Sequence, residues 1–331
     1  MIKIYEKSCL YFRKKHSNIC LYEYCIQSTL QRKGAERRRL QAFAKINLGL
    51  DVLGKREDGY HEVRMIMQTI RMYDQLDMKK SEEPGIHLTT NKNYIPVNES
   101  NLVYRAAKLM MDTCGITEGV SIHLHKVIPV AAGMAGGSSD AAATLVGMNR
   151  LFRCGLSKNR LMELGVQIGA DVPYCVLRGT ALAEGIGEKL TVLPPMPDCW
   201  ILIGKPGISV STKYVYTTLD LNTDTVHPDI DGMRKALEDG DLYGITDRMG
   251  NVLQDVTIPA YPEVETIKER MKAWGAVNAM MSGSGPTVFG IFDNEEKAQE
   301  ACQKLRESGL CQQVFLTVPF NNYGGRTADD K

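Results

Sequence analysis

The most constraining stretch of this 331-residue chain is a glycine-rich segment that runs directly into an alanine-rich one. Residues 129–143 read PVAAGMAGGSSDAAA. Strong helix formers and the apolar spacing that follows predict a helix over residues 140–152, with Ser138, Ser139 and Asp140 as candidate N-caps. Glycines let the backbone approach a ligand closely, and the free amides of a helix N-terminus favour phosphate. The stretch therefore predicts a phosphate site, against the alternative of a plain capped turn.

This segment resembles the central ATP-binding motif of the GHMP kinases, the family named for galactokinase, homoserine, mevalonate and phosphomevalonate kinases. The family usually shows GLGGGSS, whereas Met134 and Ala135 here replace the leucine and one glycine. Met for Leu conserves volume, and Ala135 matters only if that position needs a positive φ or sub-methyl clearance. The resemblance implies that this chain uses ATP and Mg²⁺, with Ser139 as the metal contact. The implied ATP-binding residues of the loop are Pro129, Gly133, Ala135, Gly136, Gly137, Ser138 and Ser139.

Two further segments match sequence patterns of the family, one before and one after the glycine-rich segment. Residues 42–53 alternate as a strand, so Lys45 and Asn47 share one face, which is either solvated or directed at a site; the pair also fits the family pattern Ala-Lys-x-Asn-Leu. Gly-Ala-Asp-Val-Pro at 169–173 matches the segment with the catalytic aspartate, although an aspartate there could simply cap or turn. The resemblance implies that Asp171 is the general base and that Lys45 keeps it ionised.

The Ser-Gly-Ser-Gly-Pro loop at 282–286 matches the family's third ATP motif, which follows the strand at 42–53 and the glycine-rich segment; otherwise this loop could be only a flexible turn. The resemblance implies that Gly283 and Ser284 close over the phosphates and that Asn101 lies near the adenine. Lys126, just before the glycine loop, could neutralise phosphate.

Two segments resemble one branch of the family, whose substrate is a cytidine diphosphate derivative on the non-mevalonate route to isoprenoid precursors. The first is Asp-Gly-Tyr-His at 58–61, after a strong hairpin signal; the second is the Pro-Gly-x-x-Val-x-Thr loop that ends at Tyr216. The resemblance implies that Tyr60 and Tyr216 enclose the cytosine and that His61 reads its edge, although both tyrosines could be packing residues. The implied substrate residues are Asn47, Tyr60, His61, Thr212 and Tyr216.

Other functions remain open at this stage. Another GHMP kinase, of the mevalonate or homoserine type, would share the three ATP motifs but lack the two cytidine segments. A non-catalytic small-molecule sensor on the same fold would be expected to lose Asp171 or Lys45, and both are present. The interpretation as an RNA-binding protein is supported by the basic residues 1–40 alone.

The resemblance also implies an α+β fold in two domains. The first is a ribosomal protein S5 domain 2-like α/β domain with a left-handed crossover, at residues 41–197; the second is a ferredoxin-like α+β domain at 198–320. Residues 321–331 form a polar tail. Sequence patterns predict helices and strands across both domains. The helices are 99–114, 157–168, 263–274 and 294–308; the strands are 63–70, 119–128, 200–204 and 314–318, and residues 181–190 form a further strand and turn.

Residues 1–40 differ from the rest of the chain in charge. They hold 10 basic and three acidic residues, a net of +7, whereas the remaining 30 basic and 36 acidic residues give −6. An acidic body argues against nucleic-acid binding. The head could be a targeting peptide, a nucleic-acid or membrane arm, or an appended segment outside the fold, and the lack of periodicity favours the last.

The remaining composition predicts a cytoplasmic protein. Nine scattered cysteines without CxxC pairs are typical of reduced thiols. No apolar run reaches the length of a membrane span. We therefore expect a small-molecule enzyme without nucleic-acid or membrane partners, either a monomer or a weak homodimer.

Overall fold

The computed structural model describes residues 37–222 and 225–321. The strands are β1 (Arg37–Lys55), β2 (His61–Ser81), β3 (Ile86–Thr90), β4 (Gly119–His125), β5 (Thr180–Gly185), β6 (Lys189–Val192), β7 (Trp200–Lys205), β8 (Gly250–Asn251), β9 (Asn278–Met281), β10 (Val288–Phe292) and β11 (Gln313–Thr317). The helices are α1 (Leu102–Cys114), α2 (Gly136–Leu151), α3 (Lys158–Val166), α4 (Val172–Leu177), α5 (Thr212–Thr218), α6 (Ile230–Asp239), α7 (Leu242–Asp247), α8 (Gln254–Ala260), α9 (Glu263–Ala273) and α10 (Glu295–Glu307).

The larger sheet has seven strands around a long β1–β2 hairpin. Its main path is β3-β4-β2-β1-β8, and β5 and β6 extend from the first half of β2. The hairpin turns where the Asp-Gly signal predicted it, with Gly59 at a φ of 84°. Helix α1 connects β3 to its parallel neighbour β4, and α2 packs on β1 and β2. This arrangement places the glycine-rich N-terminus of α2 beside β1.

The smaller sheet is antiparallel, with the order β11-β7-β10-β9. Numbered within this sheet, the order is 4-1-3-2, which is the ferredoxin-like order that the resemblance implied. Helices α9 and α10 pack on it. The two-residue strand β8 lies between these elements in sequence but pairs in parallel with β1, at Gly49 and Leu50. The C-terminal part of the chain is therefore hydrogen-bonded into the larger sheet.

Strand β1 departs from the simple alternation that the sequence predicted. Ile46 and Leu48 belong to one core cluster, whereas Leu50 and Val52 belong to the other. The reason is a register irregularity against β2 between Asn47 and Gly49, which changes the side to which later residues point. Lys45 and Asn47 do share a face, as expected, and that face is buried rather than solvated.

The fold begins earlier than predicted, within the segment that was assigned to the basic extension. Strand β1 begins at Arg37, and its first residues pair with the end of β2. Arg37 and Arg39 both form ion pairs with Asp77, at 3.0 and 2.9 Å, and Leu40 is buried in the core. These four residues therefore contribute to the fold, and the predicted boundary after residue 40 is too late for the strand. Residues 1–36 lie outside the described residues, so the predictions for them stay untested.

Other boundaries shift for local reasons. Helix α2 begins at Gly136, not at residue 140, so Ser138, Ser139 and Asp140 lie inside its first turns and do not cap it. The apolar run after Asp171 forms the short helix α4, with Pro173 in its first turn. The strand and turn predicted at 181–190 are β5 and the turn after it, and this turn leads into the additional strand β6. The other four predicted helices are confirmed within three residues. Of the predicted tail, only Asn321 is described.

None of the helices in the described ranges is long and apolar enough to cross a membrane.

Candidate active site

A cavity of about 890 Å³ brings the separated sequence motifs together. Every residue that the sequence assigned to the site lines it, with the single exception of Ser139. These residues come from β1, the hairpin turn with the start of β2, the N-cap of α1, the loop between β4 and α2 with the start of α2, the Asp171 segment, α5, and the loop between β9 and β10. Motifs more than 200 residues apart in the chain therefore form one site.

The glycine loop is held by the third motif. Gly133 has a φ of 72°, and a side chain there would overlap the carbonyl oxygen of Ser282. The Ser282 hydroxyl donates to the Gly133 carbonyl at 3.0 Å, and Gly283, with a φ of 57°, packs against the same residue. Glycine is thus required at 133 because two backbones meet there. At Gly137, by contrast, an added Cβ would lie an ordinary 3.5 Å from Leu102.

The N-terminus of helix α2 is a candidate anion site in the cavity wall. Its first residues, Gly136 to Ser138, line the cavity wall. Amides in the first turn of a helix have no helical acceptor, and the helix dipole adds partial positive charge. This part of the cavity wall is therefore suited to phosphate groups.

Ala135 precedes α2 in a left-handed conformation, with a φ of 53°. This backbone conformation is costly for a residue with a Cβ and is free of that cost for glycine. The substitution of alanine for the usual family glycine therefore stores local strain directly beside the anion site.

We expect Ala135→Gly to raise the free energy of unfolding by up to about 1 kcal/mol, because relief of the positive φ exceeds the added entropy of the unfolded chain. Chemical denaturation measures this change. The matched control is Ala141→Gly, a buried position inside α2, which should lower the free energy of unfolding by about 1 kcal/mol. A decrease in both variants would show that the left-handed conformation carries no strain.

Ser139 does not face the cavity. It is only 2 % exposed, and its hydroxyl donates to the carbonyl of Phe43 on β1 at 2.7 Å. The assignment of Ser139 to the metal therefore does not fit this geometry, whereas the adjacent Ser138 does line the cavity. Within residues 37–222 and 225–321, no three His, Cys, Asp or Glu side chains are grouped so that they could hold a metal ion.

Lys126 lines the cavity but its charge is already matched by two buried carboxylates. Its Nζ donates to Asp74 Oδ2 and Asp140 Oδ2, at 2.5 and 2.7 Å. Burial lowers the pKa of Lys126, but Asp140 and Asp74 outweigh it and leave the pKa above its ordinary value. Burial, and in addition Asp74, raise the pKa of Asp140 despite the opposing effect of Lys126. Lys126 therefore supports the loop from behind and is not a free cation for phosphate.

Asn101 is committed to the start of α1. Its Oδ1 accepts from the amide of Val103 at 2.9 Å, and its Nδ2 donates to the Pro96 carbonyl at 2.7 Å. The sequence did not identify the neighbouring segment Tyr94–Pro96, which also lines the cavity. Asn101 thus fixes the apolar wall beside the anion site through its two hydrogen bonds.

Lys45 and Asp171 form the charged centre of the cavity. Lys45 Nζ lies 4.0 Å from Asp171 Oδ2 and donates to Asn47 Oδ1 at 2.7 Å. Asp171 occupies the N-cap position of α4 without using its side chain as a cap, and that side chain is 31 % exposed. The backbone amide of Lys45 also donates to the Met134 carbonyl of the glycine loop, at 3.2 Å. A carboxylate beside a buried cation is thus positioned next to the anion site.

Aromatic rings form a further part of the cavity wall. The His61 and Tyr216 rings are in contact, with centroids 5.2 Å apart and planes at 41°. Tyr60, also in the wall, is 58 % exposed. Burial, and then the negative charge of Asp171, raise the pKa of Tyr216, so its phenol stays protonated. Thr212, at the start of α5, shares a 2.9 Å hydrogen bond with the Ser284 hydroxyl.

Models of the GHMP kinases match both halves of the chain. The model described as the GHMP kinases N terminal domain matches residues 101–179, and that of the GHMP kinases C terminal matches residues 233–310. A 4-diphosphocytidyl-2-C-methyl-D-erythritol kinase of Lachnospira eligens is 58% identical over 283 residues, which are 85% of this chain and 98% of that relative. The chain belongs to the GHMP kinase family.

Further relatives support this family assignment. The enzyme of the same name from Clostridium perfringens is 49% identical over 284 residues, 86% of this chain and 99% of that protein. A crystal structure of 4-(cytidine 5'-diphospho)-2C-methyl-D-erythritol kinase has a TM-score of 0.74 at 32% identity, covering 86% of this chain and 100% of its own. A homoserine kinase from Cytophaga hutchinsonii, with a TM-score of 0.73 at 20% identity, covers 88% of this chain and 97% of its own and shares the fold.

Two residues that support this GHMP kinase site had no local sequence signal. Asn251, on β8, donates its amide hydrogens to the carbonyls of Met281 and Gly283, at 3.0 and 2.8 Å, and so holds the third motif. Asp74, on β2, anchors the start of the glycine loop. Both residues act over long sequence distances, and only the fold reveals them.

Proposed function

We propose that this GHMP kinase transfers the γ-phosphoryl group of ATP to the 2-hydroxyl of 4-diphosphocytidyl-2-C-methyl-D-erythritol, in the non-mevalonate route to isoprenoid precursors. One observation carries the proposal: a single cavity joins an anion site, a carboxylate beside a buried lysine, and a pair of aromatic rings. The names of the relatives that are 49% and 58% identical agree with it.

The reaction would follow from the positions of these groups. Phosphoryl transfer needs mainly positioning and charge stabilisation. The Asp171 carboxylate accepts the proton of the substrate hydroxyl, and the Lys45 ammonium, 4.0 Å away, favours the ionised carboxylate and the developing alkoxide. The first amides of α2 hold the β- and γ-phosphates, while Gly283 and Ser284 cover them from the opposite segment.

Mg²⁺ fits this site as an ion held mostly by phosphate oxygens. Mg²⁺ usually binds through one or two protein groups together with substrate phosphates, and the described wall offers the Ser138 hydroxyl beside the first amides of α2. When bound, the ion would neutralise charge on the phosphates. Ser138 therefore replaces Ser139 as the candidate hydroxyl contact.

The cytidine end would be recognised by Tyr60, His61 and Tyr216. Tyr216 already contacts His61, so these rings form one wall, and the exposed Tyr60 can close on the other face of a base. Base–aromatic stacking is worth about 1–3 kcal/mol per base. Asn47 and Thr212 complete the expected polar contacts.

The test is a coupled kinase assay with 4-diphosphocytidyl-2-C-methyl-D-erythritol, mevalonate and homoserine as alternative acceptors. We expect turnover with the cytidine substrate alone. Tyr60→Leu and Tyr216→Leu should each raise its KM about tenfold, since about 1.4 kcal/mol corresponds to one decade. The KM for ATP should stay constant. Efficient phosphorylation of a ringless alcohol, with no activity on the cytidine substrate, would leave only a general GHMP kinase function.

The KM for this substrate should depend on pH through His61. Burial, with a smaller effect of Lys55, lowers the pKa of His61 below its ordinary 6.5, so the imidazole is neutral at pH 7. Protonation removes the only acceptor nitrogen of the ring. We expect a constant KM from pH 8 to pH 7 and a rise only below pH 6.5. Lys55→Met should move the onset to higher pH. A rise in KM already centred above pH 7 would exclude His61 as its source.

A further inference from the structure

The cavity wall contains three lysines, and two of them are already engaged. Lys45 is bound to Asn47 and faces Asp171. Lys126 lies between Asp74 and Asp140. The Lys213 ammonium has no hydrogen bond or ion pair to any residue within the described ranges, and Lys213 lines the cavity. Only its backbone carbonyl is engaged, by the Thr217 hydroxyl at 2.8 Å. In the part of the chain that the structure describes, Lys213 is therefore the wall's unmatched positive charge.

The position of Lys213 relates it to the aromatic part of the cavity wall. It lies on α5, where residues three and four apart share one face of the helix. Tyr216 and Thr217 stand at these positions, and all three line the cavity. Tyr216 contacts His61, and the preceding Thr212 is hydrogen-bonded to Ser284. Lys213 therefore shares the face of α5 that carries Tyr216, and it directly follows Thr212, the residue that contacts the Ser284 loop.

We propose that Lys213 binds the diphosphate of the second substrate. The inference rests on the proposed function, in which the substrate is a cytidine diphosphate ester and the base lies against His61 and Tyr216. The diphosphate must then begin beside the rings, on the face of α5 that Lys213 shares. The ATP phosphates have the amides of α2, whereas the second diphosphate needs a cation of its own.

The charges of the neighbouring residues favour Lys213 over the alternatives. The single positive charge of Lys126 faces two carboxylates, Asp74 and Asp140, and Lys45 is required beside Asp171. Lys55 is close enough to lower the pKa of His61, but it does not line the cavity. An ammonium is a point charge on a flexible stem and binds phosphate without a fixed geometry. Lys213 is exposed, so it can remain unpaired at little cost until the ligand arrives.

The experiment separates the base from the phosphates. The dissociation constants of cytidine, CMP and CDP are measured by calorimetry at pH 8, for the wild type and for Lys213→Met and Lys213→Arg. We expect CDP to bind about tenfold more weakly to Lys213→Met, while the affinity for cytidine stays unchanged. Lys213→Arg should retain most of the affinity for CDP. The KM for the full substrate should rise in Lys213→Met, and the KM for ATP should not.

Two control variants remove a lysine charge elsewhere. Lys189→Met changes an exposed lysine of β6 outside the cavity wall, and Lys55→Met changes the nearby cation. Neither should weaken CDP binding at pH 8 by more than about twofold if the contact is direct, because exposed charges at a distance are screened. An effect of Lys55→Met equal to that of Lys213→Met would overturn a direct contact.

Other results also overturn the proposal. These are unchanged CDP affinity in Lys213→Met, an equal loss for cytidine and CDP, or a rise in the KM for ATP instead of the cytidine substrate. The wild type could also bind CDP no better than cytidine. If the kinase assay with the cytidine substrate is positive, this result contradicts only the role of Lys213. It contradicts the proposed function as well when that assay is negative.

Discussion

Asp171→Asn is expected to lower kcat by about 100-fold or more and to leave the dissociation constant of ATP unchanged. The expected size is that of a positioned general base. The side chain does not cap α4 and is partly open to the cavity, so the amide should fit without disturbing the helix. Single-turnover kinetics and ATP calorimetry separate the two quantities. Near-normal turnover would remove Asp171 from the mechanism.

A double variant tests whether Lys45 acts on the same step. Lys45 Nζ lies 4.0 Å from Asp171 Oδ2. Lys45→Met should therefore also lower kcat, and the combination with Asp171→Asn should lower it by less than the product of the two single effects, as for residues that act as a unit. The matched control is Asp198→Asn, an exposed aspartate outside the cavity wall, which should keep wild-type kcat. Fully multiplicative effects would show that the two residues act independently.

The sequence located most of this site because its residues lie in short local patterns. The glycine loop, the Lys-x-Asn pair, the Asp171 segment and the Ser-Gly-Ser-Gly loop each carry their chemistry within a few residues, and the fold only had to bring them together. The same holds for the predicted helices whose caps are local. Asn294 and Gly115, for example, limit α10 and α1 as their residue types predict.

Ser139 shows where local patterns fail. Which of two adjacent serines faces the cavity depends on where α2 begins, and the sequence predicted a start four residues too late. The left-handed Ala135 begins the helix at Gly136, and the Phe43 carbonyl of β1 accepts the Ser139 hydroxyl. An alanine at positive φ contradicts its intrinsic preference, and the carbonyl is 96 residues away in sequence. Neither fact can be read from nearby residues.

The prediction for β1 was wrong for a related reason. Alternation along 46–52 predicted one continuous face, but the irregularity between Asn47 and Gly49 reverses it. Residues 37–40 looked like part of a charged head because Arg37 and Arg39 find their partner, Asp77, only after β1 pairs with β2. Pairing partners in a sheet are set by the fold, so a strand with a charged end is easily assigned to a segment outside the fold.

The buried cluster of Asp74, Lys126 and Asp140 should be the part of the site on which stability depends most. Asp74 is fully buried, and its Oδ1 accepts from the amides of Val127 and Ile128 while its Oδ2 accepts from Lys126. In Asp74→Asn, one oxygen can still serve the amides, but the new NH₂ group must face the Lys126 ammonium, donor against donor. We expect the free energy of unfolding to fall by at least about 3 kcal/mol, the usual cost of breaking a buried ion pair.

Asp140→Asn is the matched variant on the other side of Lys126. Asp140 Oδ1 is buried without a hydrogen-bond partner among the described residues, and its Oδ2 accepts from Lys126. The amide oxygen can take over that bond, and the change leaves one carboxylate for one ammonium. Because burial already raises the pKa of Asp140, loss of its charge should cost little. We expect a decrease in stability of less than about 1.5 kcal/mol, which comes from the unpaired NH₂ group.

The two variants should differ in ATP binding as well. Lys126 and Ile128 lie directly behind Gly136, where an added Cβ would approach them to 3.2 and 3.0 Å. Asp74→Asn displaces both residues and with them the amides of the anion site, so ATP affinity should fall at least about tenfold, whereas Asp140→Asn should leave it within about threefold. Denaturation with and without ATP measures both effects. Equal losses in the two variants would mean that Lys126 depends on both carboxylates alike and that Asp74 has no special role in seating the loop.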